Sequence, residues 1–512
     1  MDIAGCQHLE NQVKLYMGEK MKEELAALKE QRDVRQNLIR MKELVKEDSS
    51  AKKLLNAESE DSLWEGLLQH EDAKVRKNTA LMIGELGRNE LLEALFSAYK
   101  KEQQLFVKSS YLKAMQKFDC SSYLEQLKEI YRTLLEEEPP EENKKHIRQE
   151  LRELEILMSK EEGHKRHSFC GYDIESEVVL TTDKGYAGIT AEQVKNARVA
   201  VSSTGVKVRT KNLKPVTHIR TFREMLFGIH CKEKIEKEPN SAAGRLLEGD
   251  LMELLSQHLK GQPPYYFRMN ILSPMETEEK NAFLKQVAAG LEEKSGRRLI
   301  NSANDYEIEI RFIQSKDGTF QPYLKFYTMP MERFRYRKNA LPVSIHPAQA
   351  ALLMRLTLPY LSEDACVLDP FCGVGTMLIE RKAAYPAKAL YGVDTYGDAI
   401  QGARENTELA GENIHYVHRD FFDFTHRDRF DELIANMPAK GKKTKEEQDA
   451  FYRQFFEKAG TLLKKRGIMV LYTNETGFVK KQLRLHREFG LLKEYCIREK
   501  EGYCLFIIET KE

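Results

Sequence analysis

The sequence predicts a three-part chain: an N-terminal α-solenoid, a middle α+β region, and a C-terminal α/β part with a mostly parallel sheet. Three observations carry that expectation. Helical periodicity runs almost unbroken through residues 1–160, where proline is absent before the Pro139-Pro140 pair and Glu, Lys and Leu dominate. Alternating β-branched segments begin after Phe169. From Ala365 onward strands and helices alternate, and a glycine-bearing loop follows the first of those strands. The boundaries drawn on this basis are 1–160, 161–335 and 336–512, and 512 residues are enough for several cores.

Composition narrows the class. Hydrophobic residues make up 41% of the chain and charged residues 31%, the balance of a soluble globular protein. The formal net charge is +1, so affinity for nucleic acid must come from local patches. No apolar run approaches the roughly 20 residues that span a bilayer. Asp2, Gln7 and Glu10 interrupt any apolar signal core, and eight cysteines contain no CxxC pair. A zinc ribbon and a disulfide framework are therefore not expected, and a cytoplasmic location is.

In the helical part, Leu67 and Leu68 close a short helix, Glu71-Asp72 turn the chain, and Val75, Ala80, Leu81, Ile83 and Leu86 recur at helical spacing. Asp72 followed by Val75-Arg76 resembles a HEAT-repeat turn, in which an acidic residue caps the second helix. A related unit runs from Glu90 to Lys117, with Val107 and Tyr111 in comparable places. The resemblance implies a stacked-helix surface able to recruit a protein partner; an antiparallel bundle is the other open reading. Trp64 is expected in its core.

Glu161 to Ser168 reads as a linker. Strands are expected at Glu177–Thr181, Val199–Ser202, Gly205–Arg209, Tyr265–Leu272, Tyr306–Ile313 and Pro322–Thr328, with an amphipathic helix reaching Ser295 and a hairpin turn at Lys316-Asp317-Gly318. Between Thr181 and Ile235 eleven Lys or Arg stand against four Asp or Glu. Lys207, Arg209, Lys211 and Lys214 alternate along one segment, as a strand face aimed at phosphates would; a solvated strand face is the alternative. The strand–helix–strand–strand layout, with Arg268 and Arg311 on strands, resembles a THUMP domain, which implies RNA binding through those basic residues.

The chemistry-bearing segment begins at Ala365. A strand ends in Asp369 and runs into Pro370-Phe371-Cys372-Gly373-Val374-Gly375-Thr376, and a helix follows from Met377. The glycines permit a tight turn and close approach of a ligand, and the helix start offers free N–H groups. A dinucleotide fingerprint would add a third glycine and a phosphate loop would add GK[ST]; neither is present. The next strand ends in Asp394, placed to accept from ribose hydroxyls. The one after it ends in Asp420-Phe421-Phe422, where a carboxylate can accept from an adenine amine and an aromatic can lie on the ring. A further strand leads into Asn436-Met437-Pro438-Ala439, and a closing hairpin signals one antiparallel strand in a parallel sheet.

Asp369-Pro370-Phe371-Cys372-Gly373-x-Gly375-Thr376 with a downstream Asn-x-Pro resembles the class I, Rossmann-like methyltransferases of nucleic-acid bases. It is most similar to the THUMP-containing group that methylates the exocyclic amine of guanosine in tRNA. Arg333–Arg337, Ser344–Ala351 and the Pro359-Tyr360 step match that group's approach to the first strand. The resemblance implies S-adenosylmethionine as cofactor and RNA, above all tRNA, as partner, with no metal and no membrane. Asp369, Phe371, Gly373, Gly375 and Thr376 would line the cofactor's amino-acid end, Asp394 the ribose, and Asp420 and Phe421 the adenine.

The acceptor motif departs from the family pattern. Asn436 and Pro438 fit the Asn-Pro-Pro-aromatic consensus, in which the Asn carboxamide and a backbone carbonyl orient the target amine; the resemblance implies that Asn436 would also border the cofactor. Ala439 stands where the aromatic stacks the base. Three readings stay open: Phe421 or Tyr336 supplies the stack, the acceptor differs (a protein substrate included), or the domain binds cofactor as a non-catalytic scaffold. Lys440, Lys442 and Lys443 follow, as phosphate contacts or as a solvated loop. His346 before Pro347 reads as structural, at a helix start, and Cys372 as a small residue in the loop.

Overall fold

The computed structural model describes residues 18–47, 49–136, 140–162 and 167–511. Asp2, Gln7 and Glu10, and the middle of the expected linker, lie outside the described residues. Two compact units divide between Arg166 and His167.

The first unit is helical, and its central helices Asp61–Leu68, Ala73–Leu86, Leu92–Lys101 and Leu105–Met115 follow one another at short turns. Asp72 caps the second of these, its carboxylate accepting from the Lys74 amide at 2.7 Å. Arg76 reaches forward from the same turn. Its Nε and Nη2 donate to the Glu102 carboxylate at 2.8 and 2.7 Å, and its Nη1 to the His70 and Glu71 carbonyls, tying one helical pair to the next. Helices Ala73–Leu86 and Leu105–Met115 press together so closely that a Cβ on Gly84 would stand 2.8 Å from Ala114 Cα. Trp64 is fully buried, with its indole N–H donating to Ser59 Oγ at 3.0 Å.

The second unit contains two large sheets. The first comprises β1 Ser176–Thr181, β2 Arg198–Val201, β3 Gly205–Thr210, β4 Met225–Gly228, β5 Tyr265–Leu272, β6 Leu299–Asn301, β7 Ile308–Gln314 and β8 Phe320–Phe326. Their order is β2-β3-β1-β4-β8-β7-β5-β6, antiparallel as far as β7 and parallel beyond it. Helices Pro239–Glu248 and Thr277–Lys294 share the core of one face, where Ala243, Leu246, Phe283 and Val287 meet Phe267 and Ile310. The sequence reading omits β4 and β6. β4 is buried at all four positions, so it shows no alternation, and β6 is three residues long.

The second sheet comprises β9 Cys366–Asp369, β10 Ala389–Asp394, β11 His415–His418, β12 Phe430–Asn436, β13 Leu463–Thr473, β14 Phe489–Arg498 and β15 Tyr503–Thr510. The order β11-β10-β9-β12-β13-β15-β14 is parallel except for β15, the single antiparallel strand that the closing hairpin predicts. Helix Thr376–Ala384 is held beneath it by a buried ion pair between Arg381 and Glu432, at 2.7 Å. Arg381 also donates to the Ser362, Tyr385 and Pro386 carbonyls, which satisfies its remaining N–H groups.

The two sheet regions lock through charged groups. Glu380, on the helix that follows the glycine loop, accepts two bonds from Arg220 (2.8 and 2.7 Å) and one from Tyr336 Oη (2.7 Å). Arg333 donates to the Ile219, Phe222 and Arg223 carbonyls, and Tyr186 Oη to the Cys496 carbonyl.

Candidate active site

Parallel strands deliver their C-terminal residues to one edge of a sheet, where ligands collect. Asp369 ends β9, Asp394 ends β10, Asn436 ends β12, and Asp420 follows β11. All four line one cavity of about 1050 Å³.

The loop after β9 is held at both sides. The Cys372 amide donates to the Val393 carbonyl at 3.0 Å and the Gly373 amide to Asp394 Oδ2 at 2.8 Å. Gly375 has φ +81°, and a Cβ there would lie 2.3 Å from Tyr416 Oη, so the position needs glycine on two counts. Thr376 opens the helix, and its buried hydroxyl has no partner among the described residues.

The three carboxylates differ in setting. Asp369 is buried and accepts from the Phe371 amide at 3.0 Å; burial, with the Asp394 charge adding, pushes its carboxyl up to about 8. Asp394 is half-buried, and each of its oxygens accepts one backbone bond, from Gly373 and from Tyr396, leaving acceptor capacity on both. Asp420 is exposed and caps its own turn by accepting from the Phe422 amide at 2.9 Å. Phe421 is buried among Phe371, Phe422 and Phe455 and reaches the cavity wall, and half-buried Phe422 lies beside it.

Residues 335–495 match the family described as "RMKL-like, methyltransferase domain". The fold is similar to that of TrmN from Thermus thermophilus, with a TM-score of 0.50, 20% identity, and coverage of 65% of this chain and 99% of that one. It also resembles SMU.472 complexed with SAH, at a TM-score of 0.49 and 15% identity over 66% of this chain and 98% of that one. Over 71 residues the chain is 34% identical to the uncharacterized RNA methyltransferase OB0768 of Oceanobacillus iheyensis. That stretch covers 14% of this chain and 15% of that protein.

The residues present fit S-adenosylmethionine, the cofactor that a methyltransferase domain implies. An orphaned Thr376 hydroxyl, a loop in which Gly375 admits no side chain, and acceptors at successive strand ends suit its hydroxyl- and amine-rich body. Asp369 and the loop would hold the amino-acid end, Asp394 the ribose and Asp420 the adenine.

The cavity wall continues along β12. Among the described residues no group bonds the Asn436 carboxamide, while the Met437 amide donates to the Tyr472 carbonyl at 3.0 Å. Pro438 is half-buried, and Ala439 is exposed at the rim. Tyr336 does not reach this wall. It is buried with its hydroxyl committed to Glu380, which corrects its place as an alternative base stacker. Tyr472, Arg498 and Tyr503 do reach it, from β13, β14 and β15. No local motif marks them; the one sequence signal was the closing hairpin that folds against β13. His346 caps helix Pro347–Thr357, as expected, with Nδ1 accepting from the Ala348 amide. Burial and the neighbouring arginines, Arg223 and Arg337 foremost, push its imidazole down to about 4.

The basic residues expected to face RNA divide into groups. Lys207, Arg209 and Lys211 are exposed on and just beyond β3, paired with Glu177 and Glu175. Arg268 is part-exposed, bonded to Glu309 and lying over the Tyr306 ring at 4.1 Å. Arg311 is a correction. It is buried, donating to Glu309 at 2.7 Å and Glu224 at 3.1 Å, so its charge is neutralised within the sheet. Lys440 is half-buried and Lys442 exposed, and Lys443 Nζ lies 4.3 Å over the Phe451 ring at the cavity. No helix among the described residues is long and apolar enough to cross a membrane.

Proposed function

We propose that this protein is an S-adenosylmethionine-dependent RNA methyltransferase whose acceptor is the exocyclic amine of a guanosine in tRNA. One observation carries the reading: the Asn436 carboxamide, unbonded among the described residues, shares a cavity with Asp369, Asp394 and Asp420. A carboxamide at that place can take the amine's hydrogen in a bond to Oδ1, while the Pro438 carbonyl takes the other. The nitrogen lone pair is thereby turned into the cavity. The bound cofactor supplies an electrophilic methyl on a sulfonium. Buried Met437 and the Phe371–Phe421 ring cluster give the cavity an apolar lining, and the rate comes from positioning.

The flanking regions support an RNA substrate. The sheet built from β1 to β8 acts as a THUMP-like RNA-binding region, with Lys207, Arg209, Lys211 and Arg268 towards phosphates and Lys440, Lys442 and Lys443 beside the pocket. The helical unit, HEAT-like at the Asp72–Arg76 turn, recruits a protein partner. An RNA substrate fits a cytoplasmic location, as does a chain whose eight cysteines form no CxxC pair.

Ala439 favours a second reading, a cofactor-binding scaffold or a protein methyltransferase. Incubation with radiolabelled S-adenosylmethionine and unmodified tRNA separates them. Label in N2-methylguanosine supports the proposal, label in protein supports the alternative substrate, and cofactor binding without label supports the scaffold.

A further inference from the structure

Ala439 removes the ring that would hold a base against Asn436, so a competent acceptor site needs an aromatic face on the same wall. β13 lies beside β12 with Tyr472 in register with Asn436, and the two strands join again through the Met437 amide and the Tyr472 carbonyl. Tyr503 begins β15, which pairs antiparallel with β13. The Tyr472 and Tyr503 rings stack, with centroids 5.1 Å apart and planes at 27°. Both line the cavity that contains Asn436 and Ala439. Tyr472 is 4% exposed and backs the pair, while Tyr503 is half-buried. Gly502, at φ +74°, turns the hairpin that brings Tyr503 back, and Arg498, its register partner, is tied to Glu501 at 2.8 Å.

The other aromatics of the cavity serve elsewhere. Phe371, Phe421, Phe422 and Phe451 pack against one another in a ring cluster on the Asp420 side, and Tyr396 sits two residues beyond Asp394, at the ribose end. Resting on the function proposed above, we infer that the Tyr472–Tyr503 pair is the base-stacking platform of the acceptor site. The target purine lies on Tyr503 with its exocyclic amine at Asn436. Tyr472 contributes as a positioning residue by fixing the plane of the ring above it. Tyr503 brings a rigid face at low conformational cost, and stacking accepts any base, so selection among bases falls to Asn436.

The test uses the full chain, radiolabelled S-adenosylmethionine and an unmodified tRNA transcript. Tyr503→Leu keeps an apolar side chain but removes the ring; kcat/KM for tRNA is expected to fall roughly 5- to 100-fold, with cofactor affinity unchanged by calorimetry. Tyr503→Phe is expected to stay within about twofold of wild type, and Ala439→Tyr added to Tyr503→Leu to recover part of the loss. A second measurement needs no variant: 2-aminopurine placed at the target position of the RNA is quenched when stacked. Unchanged kcat/KM in Tyr503→Leu, or unquenched 2-aminopurine on wild type that methylates tRNA, overturns the platform alone. Absence of methyl transfer to RNA by wild type overturns the proposed function and the platform with it.

Discussion

Asp394 Oδ2 accepts the Gly373 amide at 2.8 Å, so the carboxylate that ends one strand also braces the loop that follows its neighbour. On the function proposed above, ligand and loop therefore depend on one side chain. Asp394→Ala removes a ligand acceptor and leaves the Gly373 and Tyr396 amides without their partner, at a cost of about 1–3 kcal/mol. S-adenosylmethionine affinity, read by calorimetry, is expected to fall at least tenfold, with Asp394→Asn lying between the two. Equal affinity in Asp394→Ala would remove this residue from the cofactor site.

Gly375→Ala meets two obstacles, a left-handed backbone and the Tyr416 hydroxyl. Destabilisation of about 1–3 kcal/mol is expected in thermal or denaturant unfolding. Tyr416→Phe removes the nearest atom, so the double variant is expected to recover part of the loss. If the backbone alone were responsible, the double variant would show no recovery.

Asp369 makes stability depend on pH. The folded chain holds its proton up to about pH 8 because burial opposes the charge. The unfolded chain releases it near the ordinary value of about 3.9, so between those limits the unfolded state binds fewer protons. Stability therefore falls as pH rises through this window, by up to about 1.4 kcal/mol per pH unit from this group. Asp369→Asn abolishes the term. Its stability relative to wild type is expected to climb between pH 5 and pH 8 in urea titrations, and a constant difference would argue against a protonated Asp369.

Glu380 gathers Arg220 and Tyr336 in a buried site between the two sheet regions. Arg220→Ala leaves that carboxylate without its cation, a change of the kind that costs about 3–5 kcal/mol. Faster cleavage by protease and a lower melting temperature are expected, whereas Arg220→Ala with Glu380→Gln is expected to be milder than Arg220→Ala alone. Additive losses would show that the two do not interact.

The glycine loop and the strand-end carboxylates of the cavity were legible because their signals are local. A tight loop demands Gly373 and Gly375 within three residues, and strand ends announce Asp394 and Asp420. The middle sheet was readable wherever one face is core and the other is not, as along β5 and β7. The same alternation misled at Arg311. It put the residue correctly on the non-core face, but Glu309 shares that face two positions earlier and Glu224 arrives from the loop just before β4. Cross-strand charge pairing is invisible to a one-dimensional reading. Tyr503 escaped notice for a related reason. It approaches Asn436 only because β15 inserts beside β13, a relation set by topology and not by spacing.

That insertion has a consequence for biosynthesis. β15 is made after β13 and β14, yet it lies between them and completes the pairing of Ile468 to Leu471, an apolar run. Until residue 510 has left the ribosome, the nascent sheet carries an unsatisfied edge of Ile, Met, Val and Leu, open to any passing strand. Synthesis arrested inside β15 should yield chains that aggregate or require a chaperone, a behaviour that arrest-peptide fusions placed before and after Thr510 would display side by side.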